Sequence, residues 1–163
     1  MGKKKRKEKA SPGELQVCTN VKALQRFTVD ERMEAGMVLQ GSEVKSLRAK
    51  HANLDGAYAG VTAGELFLYK MQVAPYSHAV SFGHEPKRTR KLLVHKAELL
   101  RLTGKLAQRG YTLLPLRVYF RGGRAKVELG LCKVKDFEDR REDIKRRTDL
   151  REARGEMARA RRR

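Results

Sequence analysis

Cysteine is nearly absent from this 163-residue chain: there are two, Cys18 and Cys132, far apart and with no neighbour at metal-binding spacing. That pattern argues against the disulfide framework of a small secreted domain and against a structural zinc site. It fits two reduced thiols in a cytoplasmic protein. No apolar run approaches the roughly 18 residues that a membrane-spanning helix needs. The basic N-terminus is not followed by the hydrophobic stretch of a secretory signal. The local signatures of catalysis are also missing, with no Walker-type phosphate loop, no zinc-spaced His/Cys cluster and no serine-hydrolase elbow. His51, His78, His84 and His95 fall at irregular spacings. Acidic residues are scarce beside basic ones, 19 against 38, leaving a formal net charge of +19.

The positive charge is spread along the chain. Residues 3 to 9 read Lys-Lys-Lys-Arg-Lys-Glu-Lys, and from Lys133 onward there are thirteen Lys/Arg against eight Asp/Glu. Residues 10 to 132 still hold nineteen Lys/Arg against ten Asp/Glu. A folded surface must therefore carry part of the excess, which points to a docked nucleic acid. The expected organisation is a flexible basic arm over 1–14, one folded domain over 15–132 and a basic tail over 133–163. That tail, with a thin stripe of Leu150, Ala153 and Met157, is expected to be disordered when free and helical against a partner.

Residues 24–29 alternate loosely and suggest a first strand. Asp30 to Ala35 is acidic and suggests a short helical turn, with Asp30 as N-cap and Gly36 closing it. Residues 37–48 have strand character, with Gly41 at a bulge or kink. Residues 57–61 and 65–73 flank Thr62-Ala63-Gly64 as a hairpin, and residues 75–86 read as a loop. Leu99, Leu102 and Leu106 mark an amphipathic helix over about 95–109, closed by Gly110. In the last hairpin Leu116, Val118 and Phe120 alternate with Arg117, Tyr119 and Arg121. Gly122-Gly123 turns the chain, and Ala125, Val127, Leu129 and Leu131 alternate with Arg124, Lys126 and Glu128. One face enters a core and the other carries cations. Several short strands, Gly turns and one substantial helix predict a mainly β protein with flanking helices, an antiparallel barrel of the OB-fold kind.

Lys87, Arg88, Arg90 and Lys91 cluster before the helix as phosphate contacts require. Tyr119 either packs or stacks on a base. Phe137, isolated in the polar tail, either folds back or stacks on RNA or in a partner's pocket.

An ordered set of motifs then narrows the choice. It runs from Asn20-Val21-Lys22-Ala23 through Glu34-Ala35-Gly36, Gly41-Ser42-Glu43-Val44-Lys45-Ser46-Leu47-Arg48 and Asn53-Leu54 to Ala74-Pro75-Tyr76. It continues through Arg88-Thr89-Arg90-Lys91-Leu92-Leu93, Gly110-Tyr111-Thr112-Leu113-Leu114-Pro115-Leu116 and Lys126-Val127-Glu128-Leu129-Gly130-Leu131. In this the chain resembles the small protein B family, the tmRNA-binding proteins of bacterial ribosome rescue. The resemblance implies an OB-fold barrel that binds the tRNA-like domain of tmRNA and brings it to stalled ribosomes for trans-translation. Elongation factor Tu takes part through tmRNA, and the tail lies in the small-subunit decoding centre and empty mRNA channel. It implies no catalytic residue, no cofactor, no metal and no membrane, and a monomeric, cytoplasmic adaptor.

Carried over by motif position, Glu34, Leu93 and Lys126 correspond to family residues important for tmRNA contact. Lys45, Arg48, Arg88, Arg90 and Lys91 would contribute phosphate contacts, and Asn53 joins them on the RNA-binding surface. Lys133, Lys135, Phe137, Arg140, Arg141 and Lys145 would face the ribosome. The tail departs from the family pattern, since its usual glycine is absent and Asp139 stands where a lysine is usual. The alternatives from the residues alone are a general single-stranded RNA-binding or ribosome-associated OB protein, and a metal-dependent nuclease.

Overall fold

The computed structural model describes residues 13–75, 84–135, 148–153 and 157. The N-terminal arm over 1–12, most of the 75–86 loop, and Phe137, Arg140, Arg141 and Lys145 lie outside the described residues.

The element order is β1 (Glu14–Thr19), α1 (Val21–Arg26), β2 (Phe27–Met37), α2 (Gly41–Arg48), β3 (Ala52–Asn53), β4 (Tyr58–Thr62), β5 (Glu65–Tyr69), β6 (Gln72–Val73), β7 (Arg90–Leu93), α3 (Lys96–Leu106), β8 (Tyr111–Arg121) and β9 (Arg124–Val134). Strands β8, β4, β5, β7, β2 and β9 pair in that order, and β9 pairs back onto β8, so the sheet closes into an antiparallel barrel. Closure leaves these strands few unpaired edges. β1 lies along the β8 edge at residues 117–121, beyond the point where β4 meets that edge at Leu113.

The β8–β9 hairpin forms where the alternation predicted it, because Gly122 and Gly123 both take positive φ and close a two-residue turn. Its alternation is interrupted, however. A bulge between Pro115 and Arg117 shifts the register, so Leu113, Val118 and Phe120 face the interior. Leu116 turns outward with Leu114, packing with Ala23 of α1 and Cys132. The expected in-phase run of Leu116, Val118 and Phe120 is corrected accordingly. Inside the barrel Leu66, Leu68, Leu113, Val127 and Leu129 are almost wholly buried.

Three further expectations are overturned in the first third of the chain. β1 was not foreseen, and residues 24–26 close a helix instead of opening a strand. That helix starts where Asn20 Oδ1 accepts from the Ala23 amide at 3.0 Å. Residues 30–36 are strand throughout, since β2 pairs with β9 along its length and with β7 at its end. Residues 41–48 are α2, whose first turn is held when Glu43 Oε2 accepts from the Gln40 amide at 2.8 Å. Later elements follow the sequence more closely. The 57–73 hairpin is β4 and β5, ended by Lys70 at φ +58°, and α3 buries Leu102 with Leu99 and Leu106 packed on the core. In the tail, 148–153 are helical with Leu150 and Met157 exposed.

Candidate nucleic-acid interface

Sheet register brings together residues that are distant in sequence. Gly36 on β2 lies opposite Leu93 on β7 and opposite Lys126 on β9. Leu93, Gly36 and Lys126 therefore form a row across three strands, and Glu34 stands one pleat repeat away on the same outer face. Gly36 matters by lacking a side chain: a Cβ there would stand 3.3 Å from Leu93 Cβ, tighter than ordinary packing. The row floors an open cleft of about 700 Å³, walled by Val44 of α2, the start of α3 at His95 and Glu98, and the β8–β9 turn at Arg124. Leu93 remains 54% exposed, an apolar side chain held toward solvent.

An ion-pair chain sets the cleft's charge. Glu34 Oε1 accepts from Lys126 Nζ at 2.8 Å, and Oε2 faces Arg121 at 2.9 Å and accepts a hydrogen bond from the Tyr119 hydroxyl. Arg121 also pairs with Glu14, Glu14 with Arg117 at 3.4 Å, Arg117 with Glu128 at 2.5 Å, and Glu128 with Arg32 at 2.8 Å. Glu34 and Glu128 sit directly opposite each other across β2 and β9, a repulsive arrangement for two carboxylates. The flanking cations resolve it.

Burial works against the charged form of Glu34. Hydrogen bonds from Lys126 and Tyr119 and the charges of Lys126 and Arg121 outweigh it and hold the carboxyl below its usual range. Burial first, and then the bond to Glu34, push the Tyr119 hydroxyl upward, so it stays a donor. Both Glu34 oxygens are thus engaged within the protein. With Glu34 engaged by Lys126, Arg121 and Tyr119, and Glu98 accepting from the His95 amide, the cleft presents Lys126 and Arg124 beside the apolar surface of Leu93.

The other sequence-predicted residues divide. Lys45 and Arg48 are exposed on α2, and the Arg48 guanidinium lies 5.8 Å from the centroid of the Phe120 ring that lines the cleft. Lys91 stands on the outer face of β7 and pairs with Glu65. Asn53 lies outside the cleft on β3, where its Oδ1 accepts from the Asp55 amide at 2.9 Å. Arg88 is half-buried, gripping Glu43 through Nε at 2.9 Å and Nη2 at 2.5 Å.

Arg90 requires correction as a phosphate contact, for it has no exposed surface. It donates to Glu43 at 2.9 Å and to the Met71, Arg88 and Pro86 carbonyls at 2.7, 2.9 and 3.2 Å. Its role is to tie α2 to β7. Of the two readings of Tyr119, packing holds: it is 2% exposed, with the Arg117 and Arg121 guanidiniums 4.8 and 5.5 Å from its ring centroid.

Of the tail set, Lys133 lies 4.3 Å from the Tyr111 ring centroid, and the Lys135 amide donates to the Arg26 carbonyl at 3.1 Å. Sequence reasoning missed Arg121, Arg117 and Glu14 as parts of the network. The alternation of β8 already put both arginines on the cation-bearing face, whereas Glu14 was hidden in the segment read as a mobile arm. Among the described residues no group of three or more His, Cys, Asp or Glu is placed to hold a metal ion. Among them, too, no helix is long and apolar enough to cross a membrane.

Comparison with known proteins accords with this architecture. The SmpB protein family model matches residues 17–159. The SsrA-binding protein of Desulforudis audaxviator is 54% identical over 144 residues, covering 88% of this chain and 92% of that protein. The SsrA-binding protein of Geobacter metallireducens is 49% identical over 140 residues, covering 86% and 92%. That of Myxococcus xanthus is 51% identical over 154 residues, covering 94% and 93%. A chain of the solved structure "tmRNA-SmpB: a journey to the center of the bacterial ribosome" superposes with a TM-score of 0.64 at 43% identity, covering 79% of this chain and 94% of that one. A family match across most of the length, identities near one half and a shared barrel lead to one assignment: the chain belongs to the SmpB protein family.

Proposed function

We propose that this protein is a tmRNA-binding adaptor of trans-translation, which docks the tRNA-like domain of tmRNA in the Glu34–Leu93–Lys126 cleft and carries it to stalled ribosomes. The observation that carries the reading is the meeting of these three residues, from β2, β7 and β9, in one open cleft of a family whose relatives are SsrA-binding proteins. Lys126 and Arg121 supply charge to phosphates, Leu93 packs against a sugar or base, and Glu34 acts by positioning the two cations. Lys45, Arg48, Lys91 and Arg88 extend the charged surface, and Asn53 adds a polar contact. The domain over 15–132 holds the RNA, while the tail over 133–163, with Phe137, Arg140, Arg141 and Lys145, addresses the decoding centre and mRNA channel. The function is binding, not catalysis, in the cytoplasm, with the protein a monomer when free.

The test is a competition gel shift at near-physiological salt with labelled tRNA-like domain against excess bulk tRNA. The complex is expected to survive the competitor. Lys126→Ala is expected to weaken it and to lower the slope of log affinity against log salt by about one, as loss of one phosphate contact does. Erasure of the complex by bulk tRNA would leave only a general basic RNA binder, and Mg²⁺-dependent loss of intact probe would reveal a nuclease.

A further inference from the structure

The outer face of the β4–β5 hairpin carries a feature that the cleft does not use. Tyr58 and Tyr69 sit directly opposite each other in the register, with ring centroids 5.1 Å apart and planes at 21°. Phe67 follows Tyr69 on the same face, its centroid 6.4 Å away. Tyr69 leans over Gly60, where an added Cβ would stand 3.5 Å from its ring, and its hydroxyl meets Thr62 Oγ1 at 2.9 Å. The inner ring of the pair is thereby fixed by its surroundings. Tyr58 is not covered in the same way and keeps 40% of its surface exposed.

Cations flank these rings. Lys70, held at φ +58° in a backbone region lysine rarely adopts, places its ammonium 5.8 Å from the Tyr58 ring centroid. Lys91 lies across from Phe67 on β7, and two residues on is Leu93 of the cleft. The aromatic strip is therefore continuous with the cleft across the sheet. A cross-strand aromatic pair alone would stabilise a hairpin. That role does not call for an exposed ring flanked by lysines on a chain of net charge +19.

From this juxtaposition we propose that the β4–β5 face is a second RNA contact, on which an unpaired base stacks against Tyr58 while its neighbouring phosphates lie against Lys70 and Lys91. Every base has a stackable face, so this contact tolerates any sequence and requires only that the strand be single. It rests on the chain being an RNA binder, and not on its preference for a tRNA-like shape. Tyr69 stacks on one side of Tyr58 and the Lys70 ammonium stands over the ring, so an incoming base takes the exposed part of Tyr58 as Lys70 shifts from the ring to a phosphate and Lys91 exchanges Glu65 for another. Charge complementarity selects a nucleic acid over a protein partner, since these lysines attract phosphates.

The chain contains no tryptophan, so Tyr58→Trp in the full-length protein creates a single fluorescent reporter at the site. Heptauridine RNA is expected to quench that indole in a saturable titration. By anisotropy with the same oligonucleotide, Tyr58→Leu is expected to bind roughly 5- to 100-fold more weakly, the range for loss of one base stack, and Tyr58→Phe within twofold of wild type. Lys126→Ala should weaken the tRNA-like domain complex while leaving the indole quenching by heptauridine intact. Failure of the cleft and failure of this site are then read separately. An unquenched indole, as a protein-docking face would give, overturns the proposal. So does equal heptauridine affinity in Tyr58→Leu and wild type.

Discussion

Replacing Glu43 by glutamine removes one charge and almost no volume from a fully buried position. Glu43 and Arg90 are both fully buried, and Arg88 is mostly so. In the variant Arg90 keeps its three carbonyl acceptors, but no full negative charge remains beside it. Stranding one member of a buried ion pair costs about 3–5 kcal/mol. Against a typical total stability of about 5–15 kcal/mol, that is a large fraction.

The pair Lys91–Glu65 on the surface supplies the contrast, since both side chains are more than 40% exposed. Glu65→Gln should cost at most about 1 kcal/mol. In melts followed by circular dichroism, Glu43→Gln is expected to lower Tm by about 6–20 °C, at about 2–4 °C per kcal/mol for a chain of this size. Urea titrations should show a lower midpoint with an unchanged slope. Adding Arg90→Met should cost less than the two single changes combined, because the second substitution removes the stranded charge. If Glu43→Gln melts within a degree or two of Glu65→Gln, the account of Arg90 as a structural tie fails.

Acid should act on the same group. Burial disfavours the Glu43 carboxylate, but hydrogen bonds from Arg88 and the Gln40 amide and the charges of both arginines hold it below its ordinary value of 4.5. A depressed folded value contributes stability above the unfolded one and loses it as pH falls. Urea stability should therefore stay level down to about pH 5 and decline below it, with a flatter decline in Glu43→Gln. The Cys18 and Cys132 thiols are pushed up to about 11, chiefly by burial. Iodoacetamide at pH 8 should alkylate the native protein at least about 100-fold more slowly than the urea-unfolded chain, from the lower thiolate fraction. Gly130→Ala should cost about 1–3 kcal/mol by overpacking, since its Cβ would stand 2.9 Å from Leu116 Cδ1 and 3.1 Å from Cys132 Sγ. An urea midpoint equal to wild type would show that Leu116 moves aside freely.

What could be read from the sequence depended on how local its cause was. The β8–β9 and β4–β5 hairpins were legible because alternation and turn residues lie together in the chain. α3 was legible from Leu99, Leu102 and Leu106. β2 was misread because Asp30 to Ala35 is acidic and helix-permissive, while its strand state comes from pairing with a β9 that is distant in sequence. In α2 the signals were local but overlooked: Gln40 and Glu43 at capping-box spacing, with Val44 and Leu47 three apart. Arg90 looked like its exposed neighbours because a strand's two faces alternate, and only Glu43, brought close by α2, fixes which face is inside. Glu34, Leu93 and Lys126 were found through motif resemblance. Their meeting in one cleft follows from the register at Gly36, which no local pattern reveals.

The closure of β2 onto β9 also constrains the order in which the molecule assembles. Its partners, from Gly36 with Lys126 to Phe27 with Val134, are about 90 to 107 residues apart in sequence. A growing chain cannot form these pairs until nearly all of the barrel has been synthesised. Until then β2 presents Met33, Ala35 and Met37 without their final neighbours, the kind of exposed edge that invites association between chains. Such non-local pairing also slows the search for the native arrangement. The acidic and basic side chains that alternate with those apolar ones, Arg32 and Glu34 among them, give the waiting strand a charged face before Arg32 pairs with Glu128 and Glu34 takes its place in the cleft.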